Sequence, residues 1–257
     1  SIDSWDRLAR LVRERNPKRI AVDASGTFAF ADGLSATHKE RLVRALGPRL
    51  ASRLVSAERL AVGWLETRSA GELAFYPRLV DLTHAVVREM FSRKTITPGR
   101  TTIDDLEWRV LDRLDELNVG TWFPPMFYIL RAGPDGAGGA DTRVIKPGDL
   151  LRCDIGIGSC GLVSDVQEVA YVPREGETEA PRGLRDALAL GNRLQDILLG
   201  EFREGRTGNE ILAAALSKAR AAGLFPRIYS HPIGFHGHGA GTRIGLPDMQ
   251  DGVPGMG

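Results

Sequence analysis

Cysteine is scarce in this chain: 257 residues carry two, Cys153 and Cys160. Two thiols in a chain this long exclude a disulfide framework and leave the compartment open. Charge of either sign is not in excess, since 26% of the residues are charged and the formal net charge is only +1. That balance removes the electrostatic footprint of a nucleic-acid or membrane-surface binder, so neither is expected as a partner. Long apolar runs are missing as well, none approaching the roughly 20 residues of a membrane span. No signal-like pattern opens the chain, although Ser1 in place of Met suggests processing or an incomplete start. What remains reads as a soluble protein with length for one large domain, or a large and a small one. The expected location is cytoplasmic, with export as the alternative if a signal segment precedes Ser1.

Residues 1–66 read as a small α/β piece, with Arg19–Asp23 as a buried strand and residues 36–54 as a helical stretch broken at Gly47-Pro48. A strong helix start follows at Ser69-Ala-Gly-Glu72, a capping box in which the Ser and Glu side chains reciprocally satisfy orphan N–H groups. Leu73, Tyr76, Val80, Val87, Met90 and Phe91 keep near-helical spacing behind it. After Pro98-Gly99 a second helix starts at Thr101 or Thr102, with Leu106, Val110, Leu114 and Leu117 in its stripe. Gly133 to Gly139 reads as a flexible loop and Pro147-Gly148 as a turn, followed by a hairpin over residues 150–172. The order then restarts: a long helix over about residues 180–202, and a capped helix at Thr207-Gly-Asn-Glu210 ending near Gly223. The segments Gly99-Arg-Thr-Thr-Ile-Asp-Asp-Leu106 and Gly205-Arg-Thr-Gly-Asn-Glu-Ile-Leu212 align, which suggests one helix–helix–hairpin unit used twice. The second hairpin would fall beyond Gly257.

Asp154 and Asp165 lie on the two arms of the first hairpin. Mirror pairing about Ser159–Cys160 would put them opposite each other, where like charges repel. Two acids kept in that arrangement suggest a cation between them. A solvent-facing hairpin with Leu151, Cys153, Ile155 and Ile157 on one face and Arg152 and Asp154 on the other has the same pattern. The segment Ser230-His-Pro-Ile-Gly-Phe-His-Gly-His-Gly-Ala-Gly241 weighs toward a site. It concentrates His231, His236 and His238 among glycines that let backbone approach a ligand, and neutral imidazole is a good ligand for zinc, manganese or iron. The bland alternative is a Gly-rich surface loop with incidental histidines. His38 and His84 sit in helical patterns and read as ordinary surface or core residues.

Gly148-Asp149, Asp154-Ile-Gly-Ile, the step to Asp165 and the later His-x-x-Gly together resemble the pita-bread metallopeptidases. That family holds methionine aminopeptidase, Xaa-Pro aminopeptidase and prolidase, with the metal-free creatinase beside them. The resemblance runs from about Trp64 to Gly257. It implies an α+β pita-bread (creatinase/aminopeptidase) fold with pseudo-twofold helix–helix–hairpin units over residues 67–257. Residues 1–66 would be part of the extra α/β domain of the Xaa-Pro branch. The implied metal ligands are Asp154, chelating one ion, Asp165, bridging two, and His231, which opens His231-Pro-Ile-Gly234. His238, seven positions on, would contact substrate and take part in catalysis. Taking His238-Gly-Ala-Gly241 as the ligand motif instead puts Gly245 at the second position and fits less well.

Three departures accompany the resemblance. The family completes its site with two glutamates after the histidine segment, and this chain has none after Glu210; they are expected on the absent second hairpin. Hydrolytic members usually have a histidine ahead of the first Asp, where this chain reads Phe127-Tyr-Ile-Leu-Arg131, leaving Arg131 as the nearest charged candidate for substrate. Thr or Ser and Arg often follow the second Asp, and here Val166-Gln167-Glu168 stands instead. The expectation is metal-assisted hydrolysis of peptides at the N-terminus, Xaa-Pro aminopeptidase- or prolidase-like. Two divalent ions (manganese, cobalt or zinc) would serve it, with His236, His238 and Arg131 against a peptide substrate and a homodimer as the assembly. The alternatives are a non-catalytic pita-bread protein binding peptides or a partner, and a metal-free creatinase-like amidinohydrolase.

Overall fold

A computed structural model describes residues 4–130, 143–234, 237–239 and 241–254. Arg131, His236 and the expected loop from Gly133 to Gly139 lie outside the described residues. The chain divides into two compact units at Thr67/Arg68. Among the described residues no helix is long and apolar enough to cross a membrane.

The first unit runs α1 (Ser4–Arg15), β1 (Ile20–Val22), α2 (Ala36–Leu46), α3 (Pro48–Ala51), β2 (Leu54–Ser56) and α4 (Glu58–Glu66). β1 and β2 pair in parallel, Ile20 with Leu54 and Val22 with Ser56. Gly47 breaks the helical stretch by taking φ 73°, and Pro48 restarts it in the first turn, where its missing N–H costs nothing. The chain is already turning by Ser52, so Leu54 joins a strand instead of ending a helix. Leu42, Leu46 and Leu50 form the core, with Trp5, Val12, Ile20 and Leu54 packed on them.

In the second unit α5 (Ala70–Met90) and α6 (Ile103–Glu116) precede a set of short strands. Both helices start in capping boxes, Ser69 with Glu72 and Thr102 with Asp105. The buried positions of α5 are Leu79, Thr83, Val86, Val87 and Met90, whereas Leu73 is 59% exposed and lies off that stripe. Leu106, Val110 and Leu114 from α6 meet them over Phe127, Leu151, Cys153 and Ile155 of the sheet. That sheet has the antiparallel order β4 (Met126–Leu130), β5 (Leu150–Ile155), β8 (Val166–Tyr171). A smaller one joins β3 (Gly120–Thr121), β6 (Ile157–Ser159) and β7 (Leu162–Val163).

A second helix pair follows, α7 (Arg182–Leu199) and α8 (Gly208–Ala221). α7 starts after Pro181, which keeps extended backbone at ψ 142°, so it is shorter than the run expected from sequence. α8 opens in a third capping box, Thr207 with Glu210, as α6 does at Thr102. Ile211, Leu212, Ala215 and Leu216 pack with Ile228 and Ile244, and Leu194, Ile197 and Leu198 of α7 close over them. The helix–helix element thus occurs twice.

Glu201, just after α7, is buried, and its carboxylate accepts from Arg206 Nη1 at 2.6 Å and from Lys218 of α8. These donors, Lys218 first, hold its carboxyl below the ordinary 4.5. A carboxyl with a lowered native pKa binds more protons unfolded than folded, so its stabilisation is present above about 4.5 and lost as pH falls through the native value. We expect the melting temperature to drop on acidification from pH 6 to pH 3, and Glu201→Gln to flatten part of that drop while lowering stability at pH 7. An identical acid dependence in the variant would show that Glu201 contributes nothing to it.

Candidate metal centre

β5 presents its side chains with strict alternation. Leu151, Cys153 and Ile155 are buried in the core, and Arg152 and Asp154 turn to the other face. Burial raises the Cys153 thiol to about 11, so it stays protonated and serves as core. Gly156 then interrupts the strand because no side chain fits there. A Cβ would stand 2.2 Å from Trp122 Nε1 and 2.8 Å from the Ser164 carbonyl oxygen.

The hairpin turns at Cys160–Gly161, not at Ser159–Cys160. Both turn residues have positive φ, 52° and 74°, which a two-residue type I′ turn requires and which glycine supplies at Gly161 without strain. Ser159 instead pairs with Leu162, and the ladder sets Asp154 against Gln167. The expected direct pairing of Asp154 with Asp165 is therefore corrected by one step at the turn. Asp165 lies two residues before Gln167, and with a side-chain period of two it keeps the face of Asp154 as a diagonal neighbour.

The two acids still meet. Their carboxyls are in hydrogen-bond contact, and burial together with the charge of Asp165 pushes Asp154 up to about 6 from 3.8. Gln167 Nε2 donates to Asp154 Oδ2 at 2.9 Å, and Arg152 Nη2 lies 3.6 Å from the same oxygen. Gln167 thus orients one acid, a part that the sequence alone did not suggest.

Asp165 Oδ2 lies 3.2 Å from His231 Nε2 and 3.7 Å from His238 Nε2. The His231 Nδ1–H donates to the Pro232 carbonyl at 2.9 Å, which fixes the ring and turns Nε2 toward Asp165. The Asp165 hydrogen bond raises the His231 pKa against the opposing effect of burial, whereas burial and then His231 lower that of His238. The two imidazoles stand 3.8 Å apart between centroids. Asp154, Asp165 and His231 side chains are about 15% exposed, while His238 is 51% exposed.

Ligand atoms of Asp165, His231 and His238 all lie within 4.8 Å of one another. A carboxylate and two imidazoles converging this closely make a donor set for a borderline divalent cation such as zinc, manganese or cobalt. Asp154 adjoins the trio through Asp165. The family resemblance implied a substrate-side place for His238, and the structure also brings it into the donor cluster. Trp122 was not anticipated, although its ring packs against His238 at 4.9 Å.

Two acids from the hairpin and two imidazoles from the segment after α8 thus form a cluster that could hold a metal ion in an α+β architecture. A profile of metallopeptidase family M24 matches residues 77–256, and the chain belongs to that family. Comparison with curated proteins gives no match. Among solved structures the chain is similar to an X-Pro aminopeptidase from Thermotoga maritima, with a TM-score of 0.69 and 17% identity over 99% of this chain and 68% of that one. A Xaa-Pro dipeptidase from Bacillus anthracis gives 0.64 at 18% identity over 93% and 63%. A prolidase from Pyrococcus furiosus gives 0.62 at 16% over 96% and 68%. The likeness is one of fold, the pita-bread fold, and the chain spans about two thirds of the length of these structures.

Two half-buried acids in contact repel once both are charged, so the metal-free site should be a stability liability. We expect Asp154→Asn to raise the melting temperature of metal-free protein at pH 8 by a few degrees, corresponding to about 1 kcal/mol. A lower melting temperature in the variant would show that the pair is not repulsive.

Proposed function

We propose that the protein is a metal-dependent hydrolase acting at the N-terminus of peptides, of the Xaa-Pro aminopeptidase or prolidase kind. The observation that carries this reading is the convergence of Asp165, His231 and His238 within 4.8 Å, beside Asp154, in a member of a metallopeptidase family. The reading includes two divalent ions, manganese, cobalt or zinc, held by Asp154, Asp165 and His231, and a homodimeric assembly. When bound, the metal supplies Lewis acidity that acidifies water and polarises a scissile carbonyl.

The protein's own groups do the rest. Asp165 Oδ2 is hydrogen-bonded to His231 Nε2 at 3.2 Å and lies 3.7 Å from His238 Nε2, so one carboxylate oxygen faces both rings. His231 is oriented from behind by the Pro232 carbonyl, so its Nε2 is fixed before any ligand arrives. Gln167 holds the Asp154 carboxyl toward Asp165. His238 is half exposed, so a peptide can reach it. We assign it the substrate contact and proton transfer, with His236 and Arg131 as further substrate contacts.

The test is hydrolysis of a panel of Xaa-Pro dipeptides and longer Xaa-Pro peptides by the full protein loaded in turn with Mn(II), Co(II) and Zn(II). Release of the N-terminal residue is expected with at least one ion. Asp165→Ala should lose both the bound metal, measured by elemental analysis, and the hydrolysis. Protein that holds metal yet cleaves none of the panel would contradict the reading and favour a peptide-binding role.

A further inference from the structure

We propose that Trp122 is a positioning residue of this site, which fixes His238 and the backbone leading into Asp165. The inference rests on the hydrolase reading for its kinetic consequence, and on the geometry alone for its structural one. Trp122 follows β3, which pairs with β6 of the hairpin through Gly120 and Thr121. From there the indole reaches three separate stretches of the site.

Its Nε1–H donates to the Ser164 carbonyl at 2.8 Å, one residue before Asp165. Its ring plane meets the His238 imidazole edge to face, 4.9 Å between centroids at 74°. Gly156, two residues after Asp154, and Gly237, directly before His238, are the positions where the backbone closes on it. A Cβ at Gly156 would stand 2.2 Å from Nε1, and one at Gly237 would stand 2.1 Å from Cε3. Two glycines therefore leave the space that one indole fills, next to both ends of the acid–histidine cluster.

Ser164 makes this more than a packing contact. Its hydroxyl is hydrogen-bonded to Thr83 Oγ1 of α5 at 2.7 Å and accepts from the Ile157 N–H at 3.0 Å. Both groups are buried in the core. With its carbonyl held by Trp122, the peptide unit entering Asp165 is fixed on the side chain and on the main chain. Asp165 is in turn the carboxylate that both imidazoles face. One indole thus links a rigid helix-to-hairpin anchor to the most exposed histidine of the site. Phe123 also packs edge to face on the indole, at 4.5 Å and 82°. A residue that only filled core volume would need neither the N–H bond nor the imidazole contact.

The experiment compares wild type, Trp122→Phe and Trp122→Ala as full-length protein, with Trp122→Leu as the replacement of similar bulk if the alanine variant does not fold. The first readout is independent of activity: proton NOEs among the Trp122, His231 and His238 rings in metal-free protein. Wild type should show Trp122–His238 and His231–His238 cross-peaks. Trp122→Phe should keep the His231–His238 peak, and Trp122→Ala or Trp122→Leu should lose it while retaining the wild-type circular dichroism. Kinetically, kcat/KM on a Xaa-Pro peptide should fall at least tenfold in Trp122→Ala, with the phenylalanine variant between it and wild type. A His231–His238 peak that survives in a folded alanine or leucine variant, or the absence of a Trp122–His238 peak in wild type, overturns the proposal. If metal-loaded wild type cleaves no Xaa-Pro peptide, the hydrolase reading fails and the ring contacts still decide the role of Trp122.

Discussion

The site depends on holding two carboxylates together against their mutual repulsion. Asp154 and Asp165 sit on one face of a hairpin whose other face is core, so neither can swing away without unpairing a buried ladder. Leu151, Cys153 and Ile155 anchor one arm by hydrophobic burial, each large apolar side chain contributing roughly 1.5–3 kcal/mol. The other arm is tied by Ser164 to α5 and by the Cys160–Gly161 turn to its register. Packing energy from residues that never touch a ligand is spent on keeping two charges side by side. A bound cation would relieve the strain that the fold maintains.

The second half of the chain answers the first across the unit. The bridge between Ser230 and Ile244 holds the base of the histidine segment on the core of α7 and α8. From that base His231 and His238 reach Asp165. Glu201, buried between Arg206 and Lys218, braces the same helix pair. The site therefore joins two halves that each have their own helices and core, and its geometry responds to disturbance of either.

Much of this was legible in the residues. Capping boxes at Ser69 and Thr207 mark helix starts because their chemistry is local, and the structure places helices there, while the start read at Thr101 or Thr102 falls at Thr102. The burial alternation on β5 follows from a period-two pattern that any half-buried strand must show. The register was not legible. It turns on Cys160 adopting positive φ, and nothing in a cysteine announces that, whereas an Asn-Gly or Asp-Gly pair would have. Nor does sequence order show that Trp122, Ser164 and Gly237 meet, since each belongs to a different segment. Leu73 keeps the helical period, as read, yet periodicity alone does not say where burial starts: the packed stripe of α5 begins at Leu79. The resemblance to the pita-bread family named the fold correctly, and the roles of individual side chains rest on the geometry.

The most direct test of the account is an equilibrium titration of the metal-free protein with Co(II) or Mn(II), followed by calorimetry and, for Co(II), by visible absorption. Saturable binding is expected in wild type, weakened at least tenfold in both Asp165→Ala and His231→Ala. A titration in which those two variants bind as wild type does, or in which wild type does not saturate, would contradict the claim that these residues form a metal centre.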